Sequence, residues 1–142
     1  MDRLQAVSLI LIFAIVGSAG ALYGCGSGRT PEILRGVSAG GGYWGACPRN
    51  QDFESSPAAL SPEFNARLER RYPPGSPDTI FVSELTAAGF KSAGVCNSDP
   101  NINILAFDDK VTIPNVVAEV YWQSDSNGRM AWTKGFVRYI FF

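Results

Sequence analysis

From Ala6 to Gly24 no charged residue interrupts the chain, 19 positions in all, close to the ~20 that a helix needs to cross a bilayer core. The densest part, Leu9 to Val16 (LILIFAIV), is eight residues, a length that suits a signal-peptide hydrophobic region as well as the middle of an anchor. Beyond this head the apolar pattern takes on a helical period. Phe64, Leu68 and Tyr72 recur at i, i+4 and i+8, with Glu63, Arg67, Glu69 and Arg70 left for water, which predicts an amphipathic helix. Ser61 as N-cap, Pro62 at the first helical position and Glu63 in the first turn mark its start. Pro73-Pro74-Gly75 stops it, and Ser76-Pro77-Asp78 repeats the start signal. The second helix carries Phe81, Leu85 and Ala88 on one face, with Ile80 and Val82 beside it, and ends at Gly89. Two short helices joined in this way make a hairpin whose apolar stripes need a sheet to cover.

From Ile102 onward the period falls to two. Ile102 to Phe107 (INILAF) predicts a first strand, ended by Asp108-Asp109. Val116 to Gln123 predicts a second, with Val116, Ala118, Val120 and Trp122 on one face and Val117, Glu119 and Tyr121 on the other. Ser124 to Arg129 reads as a tight turn in which Asn127-Gly128 is the usual pair for positive φ. Met130 to Thr133 returns as a third strand, and Gly135 breaks or bulges the run before Phe136 to Phe142 (FVRYIFF). That tail would aggregate if exposed, so burial in the domain or against a partner is expected. The fold class is therefore α+β: an N-terminal membrane helix or signal segment, then a two-helix hairpin packed on a three- to four-stranded antiparallel sheet. Residues 1–24 form the anchor or signal segment, 25–60 a Gly/Pro-rich linker, and 61–142 the domain. Tyr43 and Trp44 stand out in the linker as aromatic anchors for its own domain or for a partner.

Composition narrows the chemistry. With 142 residues there is room for one small domain. Histidine is absent, which removes the commonest general base and metal ligand. A net charge of −1 and dispersed basic residues give no footing for nucleic acid. Gly40-Gly41-Gly42 lacks the Gly-Lys-Ser/Thr of a phosphate loop. A calcium loop over Gln123 to Lys134 would put Gln and Lys where acidic ligands belong, and a hairpin turn explains its Asp125, Asn127 and Gly128. Asp108, Asp109 and Glu119 are the acids that a small hydrolase would need to bring together. Adjacent strand-end acids point apart, however, and Glu119 suits a salt bridge to Arg129 or Arg138. The expectation is a protein that is not an enzyme and holds no cofactor or metal.

Arg3 on the short N-terminal side predicts that this end stays cytoplasmic and the remainder is exported. Three fates fit the joint at Gly20 to Gly28. Ala19-Gly20-Ala21 allows signal-peptidase cleavage before Leu22, Leu22-Tyr23-Gly24-Cys25 is similar to a lipobox with Cys25 the acylation candidate, and the third fate is an uncleaved anchor. In an oxidising compartment Cys47 and Cys96 are then left to pair. Such a bridge would close a loop of ~50 residues and add roughly 3–4 kcal/mol.

The run Phe64 to Phe90, "FNARLERRYPPGSPDTIFVSELTAAGF", followed by the "SDSNGR" hairpin, resembles the BamE-like (SmpA/OmlA) envelope lipoproteins over residues 61–142. Gly75-Ser76 and Leu85-Thr86-Ala87-Ala88-Gly89 carry the likeness. The resemblance implies two helices on a three-stranded antiparallel sheet, serving as a noncatalytic interaction module held at a membrane. The function expected is a membrane-tethered periplasmic accessory subunit or assembly factor that binds a larger membrane protein complex, touching the bilayer through its N-terminus. Tyr43, Trp44, Phe136, Tyr139, Phe141 and Phe142 are its partner-binding candidates. The alternative is an envelope lipoprotein that binds peptidoglycan or a small ligand in a pocket lined by Trp122, Trp132 or Tyr139.

Overall fold

The computed structural model describes residues 30–40, 47, 61–111 and 113–141. Both expected helices form, α1 at Pro62–Arg71 and α2 at Asp78–Ala87. Phe64, Leu68, Tyr72, Phe81 and Leu85 are all buried, as the periodicity requires. The start of α1 is built differently from the predicted cap. Ser61 makes no side-chain cap bond; its hydroxyl accepts the Val137 N–H at 2.8 Å instead. At the second start Ser76 also does not cap, because its hydroxyl donates to the Pro73 carbonyl at 2.6 Å. Helix α2 ends in a Schellman pattern: Phe90 N–H reaches the Leu85 carbonyl and Gly89 N–H the Thr86 carbonyl, both at 3.0 Å, with Gly89 at φ 102°. A clamp joins the two helices. The Tyr72 hydroxyl donates to Glu84 Oε2 at 2.6 Å, and Arg71 Nη2 lies 3.0 Å from the same oxygen.

The sheet has four antiparallel strands in the order β1 (Lys91–Val95), β2 (Asn103–Asp109), β3 (Asn115–Ser124) and β4 (Met130–Ile140). Strand β4 runs unbroken through Gly135, which pairs with Val120, and the irregularity falls at Gln123/Ser124 instead. The glycine is there for packing, since a Cβ would lie 2.6 Å from Phe64 Cε1 and 3.1 Å from Leu68 Cδ1. Its absence lets α1 lie directly on the strand. In the β3–β4 turn only Gly128 has positive φ, at 70°. The Asp125 carboxylate supports the turn by accepting the N–H groups of Asn127 and Arg129.

Alternation divides the sheet into two apolar faces. Leu105, Phe107, Val116, Ala118, Val120 and Val137 lie under the helices with Phe64, Leu68, Phe81 and Phe90. Phe81 bridges the layers, edge-on to Tyr72 at 5.0 Å and to Trp122 at 5.4 Å. The reverse face holds a smaller cluster of Cys96, Ile102, Tyr121 and Phe136, with Cys47, Ile104 and Trp132 against it.

Residues 30–40 do not behave as linker. A short 3₁₀ turn at Glu32–Leu34 leads into the core, where Ile33, Leu34 and Val37 are buried. The guanidinium of Arg67 collects the carbonyls of Glu32, Ile33 and Arg35 at 2.7–3.2 Å, which satisfies the acceptors at the end of that turn. Glu63 receives the Ser38 N–H and hydroxyl, Tyr139 donates its hydroxyl to Val37, and Gly40 N–H reaches the Val137 carbonyl. The segment thus runs antiparallel to α1, arriving beside Arg67 and leaving at the Ile140 end of β4. Among the described residues no helix is long and apolar enough to cross a membrane. The anchor or signal expected over residues 1–24 and the acylation candidate Cys25 lie outside the described residues.

Candidate functional site

The β2–β3 connection and the tail of β4 meet at one end of the sheet. Register pairs Asp109 with Val116 and Asn115 with Ile140, so Val111, Ile113 and Phe141, just outside these pairs, lie at the same end of the sheet. Large apolar side chains concentrate there in the open: Val111 is 78% exposed, Ile113 90% and Phe141 75%. Three such residues at one end form a patch rather than the isolated apolar positions normal on any surface. Asp109, itself buried, accepts the Val111 N–H at 2.9 Å, and Lys110 lies 3.6 Å from Asp108. Val111 is thus tied directly to the end of β2.

Of the partner-binding candidates, Phe141 belongs to this patch. Tyr139 is half-buried against the main core, tied to Val37 at 2.7 Å. Phe136 is 1% exposed and stacks on Tyr121 across the reverse face, 6.1 Å between ring centres, so it is a core residue and offers no contact surface. Alternation explains this, because residues 136 and 141 lie on opposite sides of the pleat. Tyr43, Trp44 and Phe142 lie outside the described residues. Val111 and Ile113 were missed in the sequence; the available signal was two β-branched apolar residues set in a connection directly after Asp108-Asp109-Lys110.

Cys47 and Cys96 form a disulfide, with their Cα atoms 5.3 Å apart. The bond sits in the reverse-face cluster and fixes the end of β1. The three acids weighed for hydrolysis do not converge. Asp109 shares the side of Leu105 and Phe107, Asp108 faces the other way, and Glu119 accepts the Tyr121 hydroxyl at 2.7 Å instead of pairing with Arg129 or Arg138. Nor do the three rings weighed for a ligand pocket share a cavity, since Trp122 and Tyr139 pack against the helix-side core and Trp132 against the disulfide cluster. Among the described residues no group of three or more His, Cys, Asp or Glu is placed to hold a metal ion.

The shifted titrations are structural in origin. The Tyr72 hydroxyl bond, followed by the charge of Arg71, holds Glu84 below the usual carboxylate range. Burial and the same bond push the Tyr72 phenol upward. Glu63 is lowered by its own N–H and by Ser38. None of the three lies among the exposed apolar residues.

Fold and surface together define a two-helix, four-stranded antiparallel α+β domain with one apolar end. No family model, curated protein or solved structure matches the chain.

Proposed function

We propose that this protein is a noncatalytic accessory subunit or assembly factor, tethered at its N-terminus to a membrane and binding a larger membrane protein complex on the exported side. The observation that carries this reading is the exposed trio Val111, Ile113 and Phe141 at the end of the sheet. Large apolar side chains gathered in the open at one end of a sheet mark an interaction surface. The 19 uncharged positions before Cys25 support the tether, and the Cys47–Cys96 disulfide supports an oxidising compartment. The resemblance of residues 61–142 to the BamE-like lipoproteins points the same way.

The docking end and the tether lie apart. Gly75 N–H bonds the Met130 carbonyl while Ser61 N–H bonds that of Gly135, so α1 runs antiparallel to β4 and the chain arrives toward the Met130 end. The apolar trio sits beyond Ile140, about 30–35 Å away for an 11-residue strand. A domain built in this way can hold a membrane at one end and a partner at the other.

Extraction in a mild detergent followed by native sizing tests the reading. Wild type should co-migrate with a larger assembly, whereas Ile113→Asp with Phe141→Ser should run as the free protein with an unchanged thermal midpoint. Wild type running as a monodisperse monomer overturns the proposal. Intact mass of the membrane-derived protein separates an acylated Cys25, a cut before Leu22 and a retained Met1.

A further inference from the structure

Four of the arginines gather on one side of the domain. An open cleft of about 580 Å³ between the 3₁₀ turn and α1 is lined by Glu32, Ile33, Arg35, Arg67, Arg70 and Arg71. With Arg71 paired to Glu84, the charge of the cleft is carried by Arg35, Arg67 and Arg70 against Glu32, a local excess of positive charge in a chain of net charge −1. Their donors are unevenly used. Arg71 gives Nε and Nη2 to Glu84, and Arg67 spends Nη1 on three carbonyls. Arg35 uses only Nε, on Thr30. Arg70 makes no hydrogen bond or ion pair among the described residues. Several planar donor pairs are therefore left in one concavity, the arrangement that suits the oxygens of a phosphate.

We propose that this cleft binds a phosphate-bearing anion, met in the cell as the headgroup of an anionic lipid. The choice of lipid rests on the tethered reading. Four residues separate Cys25 from Thr30, and the five Cα-to-Cα steps between them span no more than ~18 Å in any conformation. The chain delivers Glu32, Ile33 and Arg35 to the cleft immediately afterwards, so a membrane holding Cys25 lies within reach of these guanidinium groups. Nucleic acid is disfavoured, because no aromatic side chain lines the cleft to stack a base. Tether and cleft would together fix the orientation of the domain on the bilayer, which one flexible attachment cannot do.

The test uses the full chain, transferred from a maltoside detergent to vesicles and measured by flotation. Phosphatidylcholine vesicles report the tether, and vesicles enriched in phosphatidylglycerol add the charge of the headgroup. Wild type should prefer the anionic vesicles, with the preference falling roughly fivefold for each arginine removed in Arg35→Gln and Arg70→Gln and fading at high salt. Lys110→Gln with Lys91→Gln, which lie at the end of β2 and on the edge strand furthest from α1, should leave the preference intact. Inorganic phosphate provides a second arm: a saturable shift of the Arg70 side-chain NMR signal assigns the cleft to free phosphate as well, and no shift alongside an anionic-vesicle preference assigns it to the lipid alone. Equal flotation on both vesicles without a phosphate response overturns the cleft while the tether stands. A remote pair that loses as much as the cleft pair also overturns it. Failure to float on phosphatidylcholine, with the phosphate response present, removes the tether and leaves the anion site.

Discussion

Along its outer edge β4 presents the N–H and carbonyl groups of Gly135 and Val137, and all four are occupied. Asn65 offers Oδ1 to Gly135 N–H at 3.0 Å and Nδ2 to its carbonyl at 2.7 Å, so a side-chain amide stands in for a neighbouring strand. Ser61 takes Val137 N–H, and Gly40 N–H takes the Val137 carbonyl. At the opposite edge β1 exposes all five of its residues. It is guarded by a register irregularity between Ser92 and Val95, by Gly94 at φ 89°, and by the disulfide that begins one residue later at Cys96. One edge is closed at Gly135 and Val137 by hydrogen bonds from α1, its cap residue Ser61 and Gly40. The other is left open but twisted and covalently pinned, which equally discourages pairing with another chain. Closing an edge with side chains ties it to the fate of α1, whereas a covalent pin acts on the unfolded chain and is indifferent to local packing.

The largest expected effect falls on the pinned edge. Replacing Cys47 and Cys96 together by Ser should cost about 4 kcal/mol, because the bridge spans 49 residues. Denaturant unfolding measures it, and a loss below about 1 kcal/mol would mean that the pin is ornamental. Next is Gly135→Ala at the sealed edge, where the new methyl meets Phe64 and Leu68; about 3 kcal/mol is expected from overpacking. If the variant unfolds at the wild-type midpoint, α1 does not sit as close to β4 as described. Asn65→Ala should cost about 2 kcal/mol by stranding Gly135. Asn65→Asp should do no better, since it cannot donate to the carbonyls of Ser61 and Gly135. Amide exchange at Gly135 should quicken in both, and unchanged protection there would break the contrast between the edges.

The smallest effect concerns the clamp that holds α1 to α2. Glu84 titrates below its unfolded value, mainly through the Tyr72 hydroxyl. Its contribution is therefore complete above the ordinary carboxylate range and disappears as pH falls through the lowered value. Tyr72→Phe should be less sensitive than wild type to acidification from pH 7 to pH 3. Parallel stability profiles for the two proteins would remove the hydroxyl as the cause.

The helices and three of the strands were legible because each buries one face at a regular period. Phe64, Leu68 and Tyr72 at i, i+4, i+8, and Val116, Ala118 and Val120 at period two, leave few alternatives. Strand β1 gave no such signal, since Lys-Ser-Ala-Gly-Val buries nothing and is a strand only because Leu105 and Ala106 offer it a partner. Residues 30–40 read as linker because Gly/Ser-rich runs at Gly26–Gly28 and Ser38–Gly42 bracket their short apolar content; three buried side chains suffice when Arg67 and Glu63 catch the backbone between them. Ser61 and Gly135 were read by their local roles, as a cap and as a breaker. Ser61 does occupy the N-cap position, but the bonds of its hydroxyl and N–H, like the reason for Gly135, come from each other's neighbourhood, 74 residues away in sequence, which no window along the chain contains. At the apolar end Phe141 was legible as an apolar tail, while Val111 and Ile113 depend on which loop the register places beside it.

The path of residues 30–40 also decides how the domain answers a mechanical load. A pull on the chain ahead of Thr30 meets the Arg67 contacts to Glu32, Ile33 and Arg35 first, then the Tyr139 and Glu63 contacts to Val37 and Ser38, and last the Gly40 bond to Val137. Under a pull directed away from α1 these attachments are loaded one after another, so they yield one at a time, as a zip does, before the ladders between β2, β3 and β4 carry the load. The segment works as a tear strip: tension at the N-terminus is absorbed in stages before it reaches the sheet, and the end that carries Ile113 and Phe141 is the last part to feel it.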